Sequence, residues 1–219
     1  MSKRMKRQRT SQKGRSIRKV PKAHTNIDRW QNRQLKKLKN LIETKTHGVD
    51  QTTLSAVSTT PRIELLNGIG TGATDITRQG NKISMTSIFL RYQGVLADTT
   101  NTFRVIVFLD KQSNGSTPLA SELLENSASW LSPLRWDNRK RFKVISDKLI
   151  NVSNTAQQVF TVKKYIKFKK FHGRVMYNAL GTVAADITSG SLWIYIQSDS
   201  TTATHPSFGY YARVNFQDL

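Results

Sequence analysis

Lys163, Lys167 and Lys169 alternate with Tyr165 in QVFTVKKYIKFKKF (158–171). At strand periodicity these four share one face, opposite Phe160, Val162, Ile166 and Phe168. Cations with an aromatic ring among them suit single-stranded nucleic acid: ammonium groups meet phosphates, and the ring takes a base. RWDNRKRFK (135–143) repeats the combination, with Arg139, Lys140 and Arg141 between Trp136 and Phe142. For one lysine a solvated strand face is explanation enough, and lysine also guards an edge strand against pairing. Two such clusters beside a far more basic segment point to nucleic acid.

That segment opens the chain. Lys3, Arg4, Lys6, Arg7, Arg9, Lys13, Arg15, Arg18, Lys19 and Lys22 stand in the first 22 residues without a single acid. Residues 1–40 hold fifteen Lys or Arg against Asp28 alone, so two thirds of the net charge of +21 lies in under a fifth of the chain. A basic arm on a milder body is the footprint of a polyanion binder. Residues 1–25 are expected to be a disordered arm, because they offer too little apolar surface to offset chain entropy. KRMKRQR (3–9) also reads as a nuclear-import address, with a host import receptor as partner. Both roles use the same charges.

Catalytic chemistry finds little footing. His24, His47, His172 and His205 each stand alone, and GIGTG (68–72) lacks the spacing and the lysine of a phosphate loop. The chain has no cysteine, which removes thiol catalysis, thiolate metal sites and disulfides. Asp75, Asp98, Asp110, Asp186 and Asp199 fall at expected turns or strand ends. Such oxygens can hold calcium between subunits, although aspartate at turns needs no metal. No catalytic residue, resident metal or other cofactor is expected. No apolar run reaches the roughly 20 residues that span a bilayer, and no membrane partner is expected.

The elements that must position these residues fall into two patterns. TNIDRWQNRQLKKLKNLIE puts Ile27, Trp30, Leu35, Leu38 and Leu41 on one side of a helix over 26–40. Arg29, Arg33, Lys36, Lys37 and Lys39 occupy the other side, and Thr25 with Asp28 resembles a capping box. The apolar stripe either packs on its own domain or meets other subunits. From 41 to 219 the period becomes two. Strands are predicted over 81–96, 102–110, 140–150, 158–171, 173–177, 191–198 and 208–216, with weaker signals at 41–47 and 62–66. One further helix is predicted within 118–131. Many short strands joined by turn-rich links describe an all-β sandwich or barrel.

RQGNKISMTSIFLRYQG, TFRVIVFLDKQSNGSTPLASELLE, KRFKVISDKLINVS and GSLWIYIQSDS occur in this order. Their order and spacing resemble the single jelly-roll capsid proteins of small icosahedral viruses. The likeness is to satellite tobacco necrosis virus-like coats and to capsids of circular, Rep-encoding single-stranded DNA viruses. It covers roughly residues 26–216.

The resemblance implies an eight-stranded antiparallel jelly roll of two four-stranded sheets. It also implies self-assembly into a T=1 virion shell of about sixty subunits, with the helices meeting beneath it; the 3–9 run adds the host nucleus as a site of assembly. Sixty arms would carry about 840 positive charges, which matches a genome of order 10³ nucleotides within a factor of a few. Single-stranded DNA is favoured over RNA as the cargo. The alternative is a non-viral, basic nucleic-acid-binding β-domain protein.

Overall fold

The computed structural model describes residues 22–168, 173–201 and 204–219. The arm residues Lys3 to Lys19 and the strand residue Lys169 lie outside them. So do the side chains of Lys22, Lys36, Leu38, Lys39 and Leu41.

The chain forms two units, 1–41 and 42–219. The first contains helix α1, Lys22–Leu41, which begins four residues before the predicted start. Residues 22–25 are therefore helical rather than part of a disordered arm, and Thr25 lies inside the helix instead of capping it. Ala23, the strongest helix former, favours the earlier start. Ile27, Trp30 and Leu35 are exposed on α1.

The second unit is all-β. Its strands are β1 (Lys45–Ala56), β2 (Arg62–Leu65), β3 (Lys82–Val95), β4 (Thr100–Asp110), β5 (Phe142–Ser153), β6 (Val159–Lys167), β7 (Arg174–Tyr177), β8 (Ile187–Ser189), β9 (Ser191–Ser198) and β10 (Ser207–Asp218). Sheet A runs β1-β10-β3-β7-β8, with β6 also on β3, and sheet B runs β2-β9-β4-β5. All these pairings are antiparallel. The chain passes repeatedly from one sheet to the other, which is the winding of a jelly roll.

Sheet A departs from four strands for a local reason. β6 pairs with Ser87–Val95 and β7 with Lys82–Ser84 along the same edge of β3, so together they fill one strand position. β8 is appended outside β7. Where β7 is approached, Gly173 sits so close to β3 that a Cβ would fall 2.0 Å from the Met85 carbonyl oxygen.

Alternation builds the core. Phe103, Val105, Val107 and Leu109 of β4 meet Leu90 and Tyr92 of β3, Phe160 of β6, and Phe208, Tyr210, Ala212 and Val214 of β10 in one buried cluster. The other face of β4 is buried as well. Ile106 and Phe108, with Trp193 and Tyr195 of β9, lie beneath Leu123, Leu124 and Phe142. Leu123 and Leu124 come from the segment predicted as a helix over 118–131, of which only one turn forms, α2 (Ala120–Leu123). The carbonyls that would extend it are engaged elsewhere. Asn138 Nδ2 donates to the Glu122 oxygen, and the Arg135 amide donates to that of Leu123.

The loops at one end of the sandwich are tied by Arg78, which is completely buried. Its Nε donates to the Ile69 carbonyl at 2.8 Å, and its two Nη groups donate to the carbonyls of Gly80 and Ala179. Its guanidinium lies 4.0 Å over the Tyr177 ring. GIGTG belongs to this packed region: a Cβ on Gly68 would fall 2.0 Å from the Thr182 carbonyl oxygen. Close packing, not phosphate cradling, accounts for that glycine.

Candidate nucleic-acid interface

The alternation predicted for β6 is present. Lys163, Tyr165 and Lys167 are exposed, while Phe160 is buried and Val162, Ile166 and Phe168 pack against the core. Lys164 points to the core side, where its Nζ donates to Ser146 Oγ on β5. Burial lowers the Lys164 pKa, and the nearby Lys148 charge adds to the effect.

Strand register extends the lysine face across sheet A in three rows. The first is Asp50, Tyr211, Arg91 and Lys163. The second is Gly48, Arg213, Phe89 and Tyr165. The third is Thr46, Asn215, Ser87 and Lys167. Phe89 is the hub, with Arg91, Lys163 and Arg213 each placing a cation 5.8 Å from its ring centroid. These residues come from three strands and up to 124 positions apart, yet share one solvent face. The acid in these rows, Asp50, stands at the β1 end. Hydrogen bonds from the Thr52 hydroxyl and amide hold its pKa below the usual carboxylate value.

Three cations around an aromatic ring, with Tyr165 and Lys167 alongside, can neutralise neighbouring phosphates and stack exposed bases. Phe89, Arg91 and Arg213 escaped the sequence reading. The signal was present in β3, where Arg91 falls between buried Leu90 and Tyr92, but the strand order was needed to bring it to Lys163.

The loop part of the 135–143 cluster, before β5 begins at Phe142, is elsewhere. It lies over the outer face of sheet B, where Trp136 is 68% exposed and Arg139 lies 4.0 Å over its ring. The structure therefore does not join Arg139, Lys140 and Arg141 to Lys163, Tyr165 and Lys167. Arg141 is also engaged internally. Its Nη2 donates to Asp110 Oδ2 at 2.8 Å and its Nη1 to Glu122 Oε1 at 2.7 Å. Its pKa is raised, chiefly by the hydrogen bonds to Asp110. Asp110 is fully buried. As a phosphate ligand Arg141 is a misreading, and as a calcium ligand so is Asp110, because each already satisfies the other.

Three of the remaining acids are engaged through their carboxylates, Asp98 and Asp186 in local turns and Asp199 across to β4. Asp98 accepts from Asn101 Nδ2, Asp186 from the Val183 amide and Asp199 from the Thr102 amide. The Asp75 carbonyl accepts from the Thr46 amide. Among the described residues, no three His, Asp or Glu side chains come together as a metal site. His47 is half-buried, and this desolvation lowers its pKa, while His205 Nδ1 lies 3.0 Å from Ser200 Oγ.

Residues 1–219 match the family model described as satellite tobacco necrosis virus coat protein. The capsid protein of satellite tobacco necrosis virus 1 is 29% identical over 140 residues, covering 62% of this chain and 68% of that protein. The coat protein of satellite tobacco necrosis virus 2 is 26% identical over 147 residues, covering 65% and 71%. Among solved structures, the semi-empty particle of Macrobrachium rosenbergii nodavirus aligns with a TM-score of 0.47 at 11% identity, covering 81% of this chain and 82% of that one. Tobacco necrosis virus aligns with a TM-score of 0.37 at 13% identity, covering 81% and 95%.

Proposed function

The chain belongs to the satellite tobacco necrosis virus coat protein family, and we propose that its subunits close into a T=1 icosahedral shell of about sixty copies around a single-stranded genome. It is a structural protein of the virion, not an enzyme, and it assembles with copies of itself. The non-viral reading falls with the family match.

The observation that carries genome packaging is the convergence of Arg91, Lys163 and Arg213 on Phe89 across one solvent face. In this reading sheet A's outer face looks into the shell. Its cations, with the arm residues and the charged side of α1, contact the phosphates. The 135–143 loop lies over the opposite face of the sandwich and would then look outward, so Arg139 and Lys140 leave the binding set.

Phosphate chemistry does not separate DNA from RNA. The preference for DNA rests on overall resemblance. The family match falls on the satellite coats named in that resemblance, and the reading moves to RNA. The 3–9 run keeps its second reading as a nuclear-import address, for which capture of an import receptor by that peptide is the test. Ile27, Trp30 and Leu35 on α1, with Leu38 and Leu41, are read as the stripe that meets the same helix of neighbouring subunits.

Purified particles test the whole reading. Negative-stain images should show small uniform shells, and their contents should resist nuclease until the shell is opened, then yield to ribonuclease. Small soluble oligomers would overturn the shell, empty particles the packaging role, and contents digested only by deoxyribonuclease the choice of RNA.

A further inference from the structure

Next to the cationic rows, sheet A's outer face holds a recess of about 230 Å³. Its origin is local. The register of β1 on β10 shifts between Gln51 and Ser55, and the residues in the bulge rise over the β10 position that carries Gly209. A Cβ on Gly209 would fall 3.0 Å from the Thr52 carbonyl oxygen and 3.2 Å from Leu54 Cδ2, so glycine lets the bulge form one wall. Gln93 and Thr161, in register with Gly209, line the floor and far side.

Tyr211 and Arg91 border the recess on the side of the cationic rows. Tyr211 is half-buried and reaches across the ladder toward β1, its hydroxyl 3.1 Å from where a Cβ on Gly48 would stand. The half-buried ring borders the recess and is the aromatic surface there on which a base could stack.

Three properties define what fits. The volume is below the roughly 300–1,000 Å³ of pockets that enclose whole drug-sized ligands, so it takes one ring system. The lining joins an aromatic ring and an apolar wall to a carboxamide that both donates and accepts. The cations stand outside, beside the opening, where phosphates attached to that ring system would lie.

We propose that this recess seats one unpaired nucleobase, stacked on Tyr211 with its edge toward Gln93, while Arg91 and Lys163 hold the flanking phosphates. The proposal rests on the packaging role assigned to this face and deepens it. Sheet A then contacts the genome at unpaired bases as well as through charge, and a fully paired duplex cannot fill the recess without extruding a base.

The test uses the full-length protein and two RNA pentanucleotides of equal charge, one with 2-aminopurine at its centre and one abasic there. The wild type should bind the base-bearing probe more tightly and quench its fluorescence. Tyr211→Ala should cost that probe about 5–150-fold in affinity, the range for one stacked base, and leave the abasic probe and the salt slope unchanged. Tyr211→Phe should retain the preference. Thr161→Trp, which fills the recess and leaves Tyr211 in place, should abolish it.

If Arg91→Glu with Lys163→Glu weakens both probes but neither Tyr211→Ala nor Thr161→Trp alters the base preference, the recess proposal is wrong and the charged face stands. Equal affinity of the wild type for the two probes also overturns the recess. If the double charge reversal changes neither probe's affinity, the packaging role of this face fails, and the recess with it.

Discussion

Arg91 on β3 and Lys163 on β6 are directly opposite across the ladder, both toward solvent and both 5.8 Å from the Phe89 ring. Like charges placed opposite each other oppose strand pairing. The sheet carries this repulsion where an alternating-sign surface would have been more stable. A bound polyanion relieves it.

Lys163→Glu should accordingly leave the unassembled protein as stable as the wild type, or more stable by about a few tenths of a kcal/mol at low salt, because it converts repulsion into a cross-strand ion pair. The same change should weaken RNA binding and lower the salt slope, which falls by about 0.7 for each phosphate of a single strand that is no longer neutralised. Urea denaturation and a salt titration of binding measure the two effects. A destabilised protein with unaltered binding would contradict both.

Removal of residues 1–22 takes away ten cations. The β-domain should remain folded by circular dichroism, since among the described residues its buried clusters are built from residues 57–216. Particle nucleic-acid content should fall sharply, and the salt slope should drop by as much as about 7. A truncated protein that packages a normal load would reassign the gripping role to the sheet face alone.

Trp30→Asp tests α1. Most helical stability in proteins comes from packing an apolar face rather than from propensity, so the stripe of α1 requires a partner surface. Shell yield should collapse while the melting temperature of dissociated protein stays the same. Should the dissociated protein melt earlier instead, the stripe belongs to its own subunit.

Arg141→Met should destabilise the dissociated protein by about 3–5 kcal/mol, because it leaves the buried Asp110 carboxylate without its cation. Asp110→Asn combined with Arg141→Met should recover most of that loss. Full destabilisation in the double variant would show that packing, not the uncompensated charge, dominates at this position.

The parts of the fold legible in the sequence were those with a clear local pattern. β6 shows alternation of burial, and β4 and β9, buried on both faces, show as short runs rich in apolar, β-branched and aromatic residues. β1 was read only to residue 47 and extends to Ala56. Its later part, DQTTLSA, is exposed and is held by backbone pairing to β10, which leaves no hydrophobic trace. The 118–131 helix failed because carbonyls at its first turn bind residues 135 and 138, a long-range event no local window contains. The candidate site was half legible. Lys163, Tyr165 and Lys167 are neighbours in sequence and appeared together. Phe89, Arg91 and Arg213 join them only through the order β10-β3-β6. Arg141 misled because a run of cations reads alike whether it faces solvent or a buried aspartate.

The buried guanidinium of Arg78 finds its partners in carbonyls from three stretches of chain, at Ile69, Gly80 and Ala179. A buried cation with donors unmet costs several kcal/mol, and each of the three stretches supplies part of what it needs. Loss of one therefore releases the other two, so that end of the sandwich is either fully closed or open. For a part copied many times into one object, this acts as a go/no-go gauge: a subunit with a single misplaced loop loses that end of the sandwich as a whole instead of holding it slightly distorted.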